Sequence, residues 1–150
     1  AEGTCSLAIS GNKIEGELSD NLIVKAYRML SADHILPHIN FNLEKHIPSQ
    51  AGLGGGSSDA TYTLRLLNKL CQLNLNSATL HQYAVRLGAD CAFFVTATPA
   101  FATGIGDILE PMNAECAHLH GMYLLIVKPT VAISTAQAFA FVKPQPTLIK

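Results

Sequence analysis

Pro48-Ser49-Gln50-Ala51-Gly52-Leu53-Gly54-Gly55-Gly56-Ser57-Ser58-Asp59-Ala60 holds four of the chain's glycines within five residues, Gly52 to Gly56. Glycine at this density costs backbone entropy and is kept where the main chain must approach something closely. A flexible linker is the plain alternative, but a linker is seldom followed at once by a capped amphipathic helix. Here Ser57 or Ser58 is expected to cap a helix running to about Cys71, with Ala60, Leu64, Leu67 and Cys71 facing inward. A glycine loop running straight into a helix brings backbone N–H groups and the positive end of the helix dipole together. That combination is an anion site, suited to phosphate. The hydroxyls of Ser57 and Ser58 can cap the helix, bind phosphate or reach a metal.

The commoner phosphate loops do not fit. A Walker A loop needs a Lys after its glycines, and none follows here. A dinucleotide fingerprint needs glycine where Ser57 stands and an acid about 20 residues further on at a strand end. A protein-kinase loop lies on a hairpin ahead of a Val-Ala-Ile-Lys strand, which is absent.

Outward from the loop, strands and helices interleave. Cys5 to Ser10 and Lys13 to Leu18 are expected to form a hairpin around Gly11-Asn12. Asp20 or Asn21 caps a helix to about Leu30, with Leu22, Ile23, Ala26, Tyr27 and Leu30 on one face. His38 to Glu44 alternates polar and apolar, as a half-buried strand does. Asn76 or Ser77 opens a helix through Leu80, Ala84 and Leu87, and Gly88 ends it. Cys91 to Thr96, Pro99 to Thr103 and a buried run, Met122 to Lys128, are expected strands. Asp107 falls in a turn-like stretch. Ser134 or Thr135 caps a last short helix, and Tyr27, Tyr62, Phe93 and Phe94 are expected in the core. The pattern predicts an α/β or α+β sandwich.

Composition agrees with a folded chain. It has 150 residues, 49% hydrophobic and 14% charged, with a net charge of −1. Such a chain buries roughly 70% of its unfolded surface. The balance is too acidic for a general nucleic-acid binder, and no apolar run reaches the roughly 18 residues of a membrane span. The cysteines at 5, 71, 91 and 116 lack paired spacing, which predicts reduced thiols and a cytoplasmic location rather than a disulfide framework or zinc site. His34 and His38 are separated by Pro37, and His118 and His120 have no third partner at suitable spacing, so no histidine metal site is expected. Asp59 at the helix start complements the dipole; a metal role is the weaker reading. Asp90 follows the helix ended by Gly88 and precedes an apolar run. It is either a simple turn residue or a carboxylate held at the mouth of a core element, where neighbours can tune it.

The loop resembles the Pro-x3-Gly-Leu-Gly-x-Gly-Ser-Ser motif of the GHMP kinase superfamily. Further stretches are similar to one branch, the kinases of a cytidine diphosphate-linked methylerythritol in non-mevalonate isoprenoid synthesis. They are Asp20 to Ala26, Leu87-Gly88-Ala89-Asp90-Cys91-Ala92-Phe93-Phe94, Ala102 to Leu109 around Gly104-Ile105-Gly106, and Val127-Lys128-Pro129 with Ser134-Thr135. Ala92 stands where many members have Pro. The resemblance implies an α+β fold, the ribosomal protein S5 domain 2-like two-layer sandwich of the GHMP N-terminal domain, with an unusual left-handed crossover. It implies that residues 1–142 are the ATP-binding domain without its first strands, and 143–150 a linker towards a second domain. The family's catalytic Lys strand and late glycine motif are not in the sequence, so the chain is expected to be about half of an enzyme, incomplete at both ends and inactive alone.

The resemblance also implies the chemistry: transfer of the γ-phosphoryl of ATP to the 2-hydroxyl of that small-molecule substrate. Pro48, Ser49, Gln50, Ala51, Gly52, Leu53, Gly54, Gly55, Gly56, Ser57 and Ser58 would cradle ATP. Asn21, Leu22 and Lys45 match positions lining the adenine pocket, and Phe139 a position stacking on cytosine. Mg²⁺ would be met by Ser57 or Ser58. Asp90 matches the general base. Other readings are a GHMP kinase acting on mevalonate, homoserine or a sugar, and a nucleotide-binding module without catalysis.

Overall fold

The structure is a computed structural model that describes residues 4–49, 51–112, 114–128 and 140–142. Two parallel strands, β1 (Cys5–Gly11) and β2 (Ile39–Lys45), are joined through the helix α1 (Leu22–Asp33). The register runs from Cys5 opposite Ile39 to Gly11 opposite Lys45. Both strands alternate half-buried and exposed residues, so Cys5, Leu7, Ile9, Ile39, Phe41 and Leu43 share the covered face. Helices α1, α2 (Gly55–Leu70) and α3 (Ser77–Leu87) supply the apolar layer.

The core lies among these helices. Tyr27 and Leu30 of α1, Ala60, Leu64 and Leu67 of α2, and Leu80, Tyr83 and Ala84 of α3 are buried together with Cys91 and Val95. Phe41 meets the Tyr27 ring edge-on, with centroids 6.1 Å apart, and so ties the sheet to the helices. Tyr27 satisfies its hydroxyl by donating to the Pro37 carbonyl at 2.7 Å. Among the described residues no helix is long and apolar enough to cross a membrane.

The helix starts follow the capping chemistry of the sequence. The Asn21 side chain accepts from the Ile23 N–H, and that of Asn76 from the Thr79 N–H, each at 2.9 Å. Helix α1 extends beyond Leu30 to Asp33, because Pro37 lies far enough downstream to permit another turn.

Several expectations are corrected. Lys13 to Leu18 is not a strand, and β1 pairs with β2 instead of forming a hairpin. Gly11, at φ +81°, lets the chain turn against β2, where the Asn12 N–H donates to the Lys45 carbonyl at 2.8 Å. Residues Ala89–Val95 form a 3₁₀ segment, not a strand. The run buries Cys91, Ala92 and Val95 against α2 and α3, a spacing that suits a helical turn. Short apolar runs do not separate strand from helix by periodicity.

Pro99 to Thr103 does contain a strand, β3 (Ala100–Thr103), and its antiparallel partner is β4 (Ile108–Pro111), unforeseen in the sequence. Gly104 (φ +68°) and Gly106 (φ +103°) turn the chain between them. Met122 to Lys128 is neither a strand nor buried; Leu124 is 84% exposed. A strand needs a paired neighbour, and no described strand lies beside this run. Tyr62 is exposed, with the Arg65 guanidinium 4.6 Å from its ring centre, and Phe93 and Phe94 are half-buried. The helix expected after Ser134 or Thr135 and the linker 143–150 lie outside the described residues.

Candidate active site

The glycine loop leads from β2 into α2. The cap of α2 is Gly54, not Ser57 or Ser58, and it stands in the left-handed region at φ +65°. A Cβ there would stand 3.0 Å from the Phe94 ring, which would have to shift, and the left-handed backbone itself favours glycine. The first backbone bond of the helix runs from the Ser58 N–H to the Gly54 carbonyl, at 2.8 Å. The N–H groups of Gly55, Gly56 and Ser57 precede it, and at a helix start such donors have no intrahelical acceptor. Ser57 and Ser58 therefore lie in the first turn of α2, with the Ser57 hydroxyl hydrogen-bonded to the Cys91 thiol.

Gly55 is required for a different reason. A Cβ there would come within 2.8 Å of Ile47 and 3.2 Å of the Lys45 Nζ. The first turn of α2 is thus packed directly against the end of β2. Lys45 is buried, with its side chain 3% exposed, and its ammonium is ion-paired with Asp59 in the second turn of α2. Asp59 answers this cation rather than the helix dipole alone.

Two cavities flank the loop. Asn21, Leu22, Lys45, Ser49, Gly56 and Asp59 line the first, together with Gly16 and Leu18. Gly52, Leu53, Gly54, Asp90, Phe93 and Phe94 line the second, and Ala102, Gly106 and Leu109 of the β3–β4 hairpin close it. The loop is the partition between a side holding Asn21, Leu22 and Lys45 and a side holding Asp90. Asp90 itself is exposed, at the start of the 3₁₀ segment.

Buried polar contacts fix Asp90 relative to the loop. The hydroxyl of Thr61, on α2, donates to the Cys91 carbonyl at 2.8 Å. Burial pushes the Cys91 thiol above its ordinary value, while hydrogen bonds with Ser57 and Thr61 pull the other way. The residue after Asp90 is thereby held to the same helix whose N-terminus carries the glycines.

Of the residues singled out in the sequence, Gly52, Leu53, Gly54 and Asp90 share one cavity, and Asn21, Leu22, Lys45, Ser49 and Gly56 share the other. Pro48 and Ala51 lie on the loop between β2 and α2. Gln50 and Phe139 lie outside the described residues. Asp59, Thr61, Phe94 and the hairpin wall were not legible as site elements. Asp59 meets Lys45 across 14 positions, beyond any local pattern. The hairpin did leave a signal, glycines spaced by one residue between two short runs. No group of three or more His, Cys, Asp or Glu side chains that could hold a metal occurs among the described residues.

The GHMP kinases N terminal domain model matches residues 21–98. A 4-diphosphocytidyl-2-C-methyl-D-erythritol kinase of Bacteroides thetaiotaomicron is 49% identical over 96% of this chain and 52% of its own. One from Bacteroides fragilis is 50% identical over 90% of this chain and 48% of its own. A crystal structure of 4-(cytidine 5'-diphospho)-2C-methyl-D-erythritol kinase superposes with a TM-score of 0.58 at 34% identity. It covers 75% of this chain and 40% of that one. The chain thus spans about half the length of the curated relatives it matches.

Proposed function

The chain belongs to the GHMP kinases, whose N-terminal domain spans residues 21–98, and from that premise we propose that it supplies the nucleotide-binding half of a small-molecule kinase. The reaction is transfer of the γ-phosphoryl of ATP to the 2-hydroxyl of 4-diphosphocytidyl-2-C-methyl-D-erythritol. The observation that carries this reading is the placement of Asp90 in one cavity with Gly52, Leu53 and Gly54, at the N-terminal end of α2. The names of the similar kinases support the choice of substrate.

Phosphoryl transfer asks the protein for position and charge compensation more than for covalent chemistry. The donors of Gly55, Gly56 and Ser57 receive phosphate oxygens at the positive end of α2. The nucleoside lies on the far side of the loop, against Asn21, Leu22 and Lys45. Asp90 faces the opposite cavity, where it accepts the proton of the substrate hydroxyl as that oxygen attacks. The half-buried rings of Phe93 and Phe94 exclude water from one wall of this cavity. Thr61 and Ser57 keep the base and the cradle on one rigid body.

Ser57 and Ser58 carry hard oxygen donors in the first turn of α2, the Ser57 hydroxyl also meeting the Cys91 thiol. They fit a Mg²⁺ ion held chiefly by phosphate and water, which needs no carboxylate cage. Bound there, the ion would supply neutralisation of phosphate charge. Residues 1–142 then form the nucleotide-binding domain and 143–150 a connection, and the setting is the cytoplasm.

The test is phosphoryl transfer from ATP by the full-length gene product that carries this chain. The acceptors are the cytidyl-linked methylerythritol, mevalonate and homoserine. Turnover of the first alone is expected. Turnover of another acceptor instead would move the chain to a sister kinase, and turnover of none would leave no catalytic claim.

A further inference from the structure

A lysine with 3% of its side chain exposed is an uncommon occupant of a cavity wall. Its backbone is pinned from one side: the Lys45 carbonyl accepts from the Asn12 N–H at 2.8 Å, and the Asn12 side chain donates to the His46 carbonyl at 2.7 Å. Its ammonium is pinned from the other side by Asp59, which is 25% exposed and lines the same cavity. Gly55 makes room for this arrangement, since a Cβ would lie 3.2 Å from the Nζ. Asp59 is itself fixed by its helix, where the Thr63 hydroxyl donates to the Asp59 carbonyl at 2.7 Å.

We propose that Asp59 is a positioning residue for nucleotide binding: it holds the Lys45 ammonium in the wall of the cavity beside Asn21 and Leu22. The inference rests on the kinase reading above and deepens it. A buried ammonium needs a partner, and without one the side chain moves to water or the local packing gives way. An ammonium carries three donor hydrogens. With one engaged by Asp59, the others are available to a ligand in the cavity that Lys45 lines. Losing Asp59 therefore frees Lys45 from the cavity wall, while Gly54 and Asp90 keep their places in the other cavity. The pair also joins the end of β2 to α2, which alone would be a structural role. The two roles predict different results.

The experiment uses the full-length gene product, with direct titration of ATP, kcat at saturating ATP, and thermal midpoint. Asp59→Asn is expected to raise the ATP Kd tenfold or more while kcat at saturation stays within about threefold. Asp59→Glu, which keeps the charge, is expected to recover most of the affinity. The double variant Lys45→Met/Asp59→Leu replaces the pair with apolar groups of similar size and keeps the protein folded if Asp59→Asn alone does not. It is expected to melt near the wild type yet bind ATP as weakly as Asp59→Asn. Wild-type ATP affinity in a folded double variant would show a purely structural pair and overturn the inference, leaving the kinase reading intact. A wild-type protein that binds no ATP would overturn the kinase reading itself.

Discussion

Gly54 carries two constraints at once, a left-handed φ of +65° and a Phe94 ring 3.0 Å from where a Cβ would stand. Gly54→Val is therefore expected to lower the thermal midpoint and to weaken ATP binding at least tenfold, because the loop must leave its position to relieve both. ATP affinity unchanged in a folded variant, measured by titration, would contradict the cradle. Gly55 is required by a different neighbour, Ile47, at 2.8 Å from its virtual Cβ. The sequence marked these glycines, since glycine so dense before an amphipathic helix is kept where the main chain must approach something closely. It did not show which ring or side chain each one clears, because Phe94 and Ile47 reach them only through the fold. Ser57 and Ser58 illustrate the same limit. Their residue type favours a cap, but the left-handed glycine takes that position and leaves the hydroxyls in the first turn.

Helix α2 joins the two halves of the proposed site, with the glycines at its N-terminus and Thr61 tied to the segment that begins next to Asp90. Thr61→Val keeps the shape and removes the hydroxyl that donates to the buried Cys91 carbonyl. The expected cost is about 0.5–1.5 kcal/mol of stability, with a lower kcat and little change in ATP affinity. A denaturant melt and steady-state kinetics would check it, and a variant as stable as the wild type would refute the tie. The elements with strong periodicity or caps, α1, α3 and β2, were legible within a few residues. The 3₁₀ segment 89–95 was not, because seven mostly apolar residues carry no period that separates strand from turn. The parallel pairing of β1 with β2 escaped because pairing is settled by α1 packing across both strands, whereas Gly11-Asn12 offered a local turn.

At the scale of the whole molecule, the groups with shifted proton affinity among the described residues, Cys5, Tyr27, Tyr83 and Cys91, all have it raised, chiefly by burial. Their ordinary values are 9.0 for the thiols and 10.0 for the phenols. Below the thiol value both folded and unfolded chains keep the proton. Above it the unfolded chain releases the proton first, so stability falls as pH rises. The thermal midpoint is expected to hold up to about pH 9 and then decline, less steeply for Cys91→Ala. A midpoint rising through that window would contradict the assignment. Fold class was legible from interleaved strands and helices, and the glycine loop carried the family. The joining of loop and Asp90 was not legible, since it depends on the Thr61 bond and on the β3–β4 hairpin, whose glycines were visible but whose place against the loop is set by the fold. That joining is the centre of the account, and it is most directly tested with Asp90→Asn in the full-length gene product. We predict loss of phosphoryl transfer by about 10²–10⁴-fold, the usual contribution of a positioned base, with ATP affinity unchanged. Undiminished turnover in that variant would contradict it.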